Sequence, residues 1–128
     1  MKAEVSTAIE ELKRQFDTAV FVVREDDQGG AYVVIDPMTL GTKYHPASSW
    51  MGFQIPAQYP YADIYPVFIG ADVRRASGAP FAAPVTGGHH FEGRPAIQIS
   101  RRNASAPSAP QKATAKALKV LAFLEDLS

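Results

Sequence analysis

The segment His89-His90-Phe91-Glu92-Gly93-Arg94-Pro95-Ala96-Ile97-Gln98-Ile99-Ser100 gathers two imidazoles, a carboxylate, a guanidinium, a carboxamide and a hydroxyl. The strongest chemistry available to this set is acyl transfer or hydrolysis, with Ser100 as nucleophile and His90 as its base, provided folding brings them together beside an oxyanion site. Gln98 has no low-energy anion at neutral pH and is read either as a hydrogen-bonding group for a partner's tail or as a polar residue on the solvent face of a short strand between buried Ile97 and Ile99. His89 and His90 would bind a metal only if Glu92 and His45 were recruited by the fold, because adjacent side chains point apart and no regular ligand spacing is present. The glycines Gly87, Gly88 and Gly93 match neither GxGxxG nor GxxxxGK[ST], so no phosphate loop is expected. No metal and no cofactor is expected.

The chain has no cysteine, which removes disulfides, thiolate metal sites and a cysteine nucleophile. Its 13 basic and 13 acidic residues cancel, so no global field draws it to nucleic acid or to an anionic membrane. Arg74-Arg75 and Arg101-Arg102 are expected to be solvated strand ends. The amino terminus carries no hydrophobic signal core, and no apolar run approaches the ~18–20 residues that cross a bilayer, so a cytoplasmic protein is expected. Recognition of another protein is better supplied. Tyr59, Tyr61, Tyr65 and Trp50 lie among Pro56, Pro60 and Pro66, a composition that either forms a groove for an extended peptide or folds the turn of the scaffold itself. Partner-binding candidates are therefore Tyr59, Tyr61, Tyr65, His89, His90, Arg94 and Gln98.

These groups must be held by a scaffold that fits one domain of 128 residues. Val5, Ile9, Leu12 and Phe16 recur at helical spacing; Thr7 with Glu10 has capping-box spacing, and a helix beginning nearer the terminus fits equally well. Ala19 to Glu25 and Ala31 to Asp36 are β-branched and aromatic, joined by the turn-like Asp26-Asp27-Gln28-Gly29-Gly30. Two further strands are expected over Trp50 to Ile55 and Tyr65 to Val73. Arg74 to Arg94 reads as a long irregular segment rich in Gly, Ala and Pro, the kind that often carries function. A brief extended segment, Ala96 to Ser100, precedes a polar stretch from Asn103 to Pro110. Ser108 and Gln111 have capping-box spacing, with Pro110 in the first turn of a closing helix. That helix carries Ala117, Leu118, Leu121 and Leu124 on one face, widened by Val120, Phe123 and Leu127, and so must cover a sheet. The class is α+β: an N-terminal helix, a four-stranded antiparallel meander, a long irregular segment and a C-terminal helix.

Residues Phe53-Gln54-Ile55-Pro56-Ala57-Gln58-Tyr59-Pro60-Tyr61 and Tyr65-Pro66-Val67-Phe68 resemble the strand-and-proline signature of ubiquitin-conjugating domains. Those domains transfer a ubiquitin-like modifier through a cysteine thioester. Element order resembles the family over most of the chain, and the motif likeness is best between Phe53 and Ser100. Aligning Ile97-Gln98-Ile99 on the family's Ile-Cys-Leu segment puts Gln98 in the nucleophile's slot and His90 near the start of the His-Pro-Asn motif. Neither the proline nor the asparagine follows His90. The resemblance thus implies a bacterial conjugating-like or inactive variant. It would bind a ubiquitin-like protein, an activating-enzyme homologue or a peptide without covalent chemistry. Two alternatives stand beside it: a hydrolase or acyl-transfer enzyme using Ser100 and His90, and an unrelated α+β protein-interaction domain.

Overall fold

The computed structural model describes residues 1–100 and 112–127. Helix α1 (Ala3–Gln15) forms because Val5, Ala8, Ile9 and Leu12 fall on one stripe, and all four are buried. Glu4 in its first turn and Lys13 and Arg14 in its last complement the helix dipole. It begins near the terminus, the alternative to a start at the Thr7–Glu10 pair. Lys2 is the N-cap and contributes no side-chain bond, so Thr7 is an exposed residue inside the helix.

Six strands make one antiparallel sheet: β1 (Val20–Glu25), β2 (Ala31–Thr39), β4 (Ser48–Ile55), β5 (Val67–Gly70), β8 (Arg94–Ile99) and β7 (Val85–Phe91), in the spatial order β1-β2-β4-β5-β8-β7. β3 (Tyr44–His45) and β6 (Arg74–Arg75) form a separate two-stranded ladder. The class is α+β as read from the sequence, but the four-stranded meander is extended by a hairpin. The segment from Arg74 to Arg94 is not one irregular loop, since β6 and β7 both fall within it. The fourth strand is shorter than Tyr65 to Val73, starting after Pro66. β2 runs past Asp36 because a register shift between Ile35 and Met38 accommodates Pro37 without breaking the pairing.

One face of the sheet is apolar and carries both helices. Val33 and Ile35, Met51, Phe53 and Ile55, Val67 and Ile69, Ile97 and Ile99, with Val85, join Leu12 and Leu124 in the main core. Helix α2 (Ala113–Asp126) buries Ala113, Lys116, Ala117, Val120 and Leu124. Leu118, expected on the inner stripe, is instead exposed, and Leu121 and Phe123 are half-buried at its margin. The buried stripe is centred one position away from the expected face, and Lys116 lies inside it. The capping-box pair Ser108 and Gln111, Pro110 and Arg101-Arg102 lie outside the described residues.

Tertiary contacts satisfy groups at both ends of α2. Helix ends leave unpaired amides and carbonyls, and the N-cap Lys112 offers no side-chain bond. The Ala113 amide donates to the Tyr59 hydroxyl at 3.2 Å, while the Tyr44 hydroxyl donates to the Leu124 carbonyl at 2.6 Å and the Lys43 ammonium to the Glu125 carbonyl at 2.6 Å. Burial pushes the phenol pKa of both tyrosines above its ordinary value. Tyr59→Phe is expected to lower unfolding free energy by ~1–3 kcal/mol, the cost of leaving the buried Ala113 amide unpaired, and Tyr44→Phe by less, ~0.5–1.5 kcal/mol, because the Leu124 carbonyl keeps its bond from the Leu127 amide. Urea denaturation checks this, and wild-type stability in both variants would remove these tyrosines as helix caps.

Candidate protein-binding face

The opposite, helix-free face of the sheet carries a second, smaller apolar cluster. Alternation along each strand sends Tyr32 and Val34 of β2, Trp50 of β4, Phe68 of β5 and Ala96 of β8 to this side, where Phe91 of β7 joins them. Phe91 is the centre of the cluster. Its ring stacks on Phe68 at 4.9 Å between centroids and on Trp50 at 6.3 Å, and meets Tyr32 edge-on at 6.2 Å. Gly52 lies beneath it: a Cβ there would stand 2.6 Å from the Phe91 ring, so the seat exists only because β4 carries no side chain at that point.

Phe91 arrives from the far edge of the sheet. β7 and β8 are joined through Glu92-Gly93, with Phe91 paired to Arg94. Both turn residues have positive φ, 49° and 77°, which is the two-residue type I′ hairpin connection. Asn, Asp or Gly usually fills the first of these positions, because a longer L side chain is disfavoured in left-handed backbone. The glutamate has a tertiary use. Its carboxylate accepts two hydrogen bonds from Arg24 of β1, at 2.7 and 2.9 Å, from the opposite edge of the sheet. The Arg24 guanidinium also lies 4.4 Å from the centre of the Tyr32 ring. The hairpin tip therefore crosses the helix-free face and is tied down beyond it. A register shift between Thr86 and His89, containing Gly87 and Gly88, gives β7 its bend.

The hydrogen bonds from Arg24 hold the Glu92 carboxyl below the ordinary glutamate range, outweighing the opposing effect of its partial burial. A depressed folded-state pKa stabilises above the unfolded-state value, and that contribution disappears as pH falls through the depressed one. Glu92→Gln should thus be less stable than wild type near neutrality, with the difference closing in acid. Because Arg24 is well exposed, the effect is screened and small. Urea midpoints measured against pH check it; a difference that persists unchanged into acid would show that the carboxylate charge is not involved.

The sequence-predicted residues disperse over this framework. His89 is half-buried on the helix-free face, edge-on to Phe68 at 6.4 Å and with its Nε2 3.0 Å from the Thr86 hydroxyl. Arg94 sits at the tip with its guanidinium 5.9 Å from the Trp50 ring centre, and its buried Nε makes no hydrogen bond. Gln98 lies on the same face, next to Phe68 and Thr86 in register, and its amide donates to the Ser100 hydroxyl at 2.7 Å. His90 points to the other side of β7, is exposed and pairs with Pro95. Ser100 is roughly 16 Å further along β8 from that pair at about 3.3 Å per residue. The structure does not bring His90 and Ser100 together.

Tyr61 is exposed at 65% and Tyr65 half-buried, but Tyr59 is only 7% exposed and caps α2. Trp50 belongs to the helix-free face and not to the tyrosine turn, so the aromatics near the prolines do not form one groove. His45 is opposite Arg74 in the small ladder and Glu92 is held by Arg24. Among the described residues no group of three or more His, Asp or Glu is arranged to hold a metal. No helix described is long and apolar enough to cross a membrane.

Sequence reasoning missed Arg24, Tyr32, Phe68 and Phe91 as parts of a site. One signal was present: Glu92-Gly93 between Phe91 and Arg94 has the length of a tight hairpin turn. No family model, curated protein or solved structure matches the chain.

Proposed function

We propose that this chain is a non-covalent protein-binding domain of ubiquitin-conjugating type, serving a modifier pathway by binding a ubiquitin-like protein or an activating-enzyme homologue. The carrying observation is the surroundings of Gln98, the residue that the family resemblance puts in the nucleophile's slot. It sits on a sheet face lined by Phe68, Phe91, Trp50 and Tyr32, and its side chain is bonded to Ser100 rather than to a general base. Aromatic rings interleaved with Arg24, Arg94 and His89 suit protein recognition, where aromatic and arginine side chains dominate the binding energy. The helix-then-meander order also agrees with that scaffold.

The test combines two measurements. Incubation with an activating enzyme, ATP and a ubiquitin-like protein is expected to leave the intact mass of the chain unchanged. Titration with the same proteins is expected to show binding that Arg94→Ala and His89→Ala weaken by ~1–2 kcal/mol or more while the melting temperature stays nearly constant. A hydroxylamine-sensitive adduct that vanishes in Ser100→Ala would overturn the non-covalent reading.

A further inference from the structure

The hairpin tip does more than finish a strand pair. On the helix-free face one aromatic ring, that of Phe91, lies above Gly52 among Phe68, Trp50 and Tyr32, with the Arg24 guanidinium over the Tyr32 ring. The ring belongs to a two-residue unit, Phe91-Glu92, presented on a tight turn whose first residue would ordinarily be Asn, Asp or Gly. A left-handed glutamate on an exposed turn points to a requirement for its carboxylate, and that carboxylate meets Arg24. The tether is light: the ion pair is solvent-exposed, and the segment behind it contains Gly87 and Gly88, around which a Cβ would meet nothing within 4 Å. Packing does not demand either glycine. Gly88 has a φ of 81°, a conformation that glycine adopts freely, and the pair gives β7 a bulge behind the tip.

We infer that Phe91-Glu92 is an internal occupant of a docking groove, and that the groove takes a partner segment in which an aromatic residue is followed by an acidic one. The partner's ring replaces Phe91 above Gly52 and its carboxylate replaces Glu92 on Arg24, while the β7–β8 tip swings outward about Gly87-Gly88. This inference rests on the protein-binding reading and adds to it the chemistry of the bound segment. Exchange of like for like explains why the face is shaped for a ring yet held shut by a pair that water competes for. It also places Arg94, whose guanidinium rides on Trp50 beside the tip, where it would move with the hairpin.

The probe is a Gly/Ser peptide with one central Phe-Glu pair, compared with the same peptide carrying Phe-Lys and with one carrying Ala-Glu. Binding is followed by Trp50 fluorescence, Trp50 being the single tryptophan of the chain. Glu92→Gln weakens the tether without touching the core, so it raises the population of the open state and the apparent affinity with it. The expected result is an about two- to fivefold tighter Phe-Glu titration in Glu92→Gln than in wild type, as fits an exposed ion pair, no saturable signal with Ala-Glu, and a loss of tenfold or more with Phe-Lys. Arg24→Gln should abolish the preference for Phe-Glu over Phe-Lys. Phe91→Ala, if its circular dichroism and melt show it folded, should bind the Phe-Glu peptide most tightly of all. Equal titrations in wild type and Glu92→Gln, or equal binding of Phe-Glu and Phe-Lys by wild type, overturn the inference. If a protein partner still binds while these peptides fail, the protein-binding reading survives and only the internal-occupant inference falls. Absence of any protein partner, with peptide binding intact, separates the two the other way.

Discussion

Deletion of residues 112–127 is expected to abolish the cooperative thermal melt. Helix α2 contributes Ala113, Ala117, Val120 and Leu124 to the main core, and it is held by Tyr59 at one end and by Tyr44 and Lys43 at the other. Burying a valine or leucine side chain stabilises by ~1.5–3 kcal/mol. Removing the helix forfeits several such terms and also bares the sheet residues that share their core. That loss is comparable with the whole stability of a domain of this size, ~5–15 kcal/mol. Calorimetry of the truncated chain checks it, and a cooperative transition near the parent temperature would place α2 outside the folding unit.

Asp63→Ala is expected to cost ~3–5 kcal/mol, because it takes a carboxylate away from a buried cation. Lys116 projects from the inner face of α2, is 8% exposed and donates to both carboxylate oxygens of Asp63 at 3.2 and 3.3 Å. The pair ties the helix to the turn that follows β4. Desolvation makes such a pair a poor source of net stability, yet an expensive one to break from the acidic side. Lys116→Met keeps much of the volume and removes the charge that needs a partner, so it should be far milder. Equal losses in the two variants would show that the turn depends on Asp63 for some reason other than the lysine charge.

The α+β class was legible because β-branched runs such as Val20-Phe21-Val22-Val23 and the periodic stripes of both helices are local signals. β7 was not. Gly87-Gly88 interrupts its alternation, and pairing with β8 resumes only through a bulge that no local pattern announces. The aromatic cluster was hidden for a different reason: Tyr32, Trp50, Phe68 and Phe91 come from four strands, and only the register sets them side by side. In the run Tyr32-Val33-Val34-Ile35 both faces are apolar, so composition cannot say which residues look away from the helices. In the sequence Tyr59 is a partner-binding candidate, with folding of the proline-rich turn itself as the other reading, and neither reading ties it to a helix. Its hydroxyl is instead needed by the first turn of α2, a tertiary requirement that the turn sequence does not carry.

The most direct test of the account is a titration of the isotope-labelled chain with a ubiquitin-like protein, and separately with an activating-enzyme homologue, followed by amide and side-chain NMR. Saturable changes are expected with at least one of them at Tyr32, Trp50, Phe68, His89 and the Phe91–Arg94 hairpin tip, with the α1 and α2 signals little affected. Saturable changes confined to the two helices, or none with either protein, would contradict it.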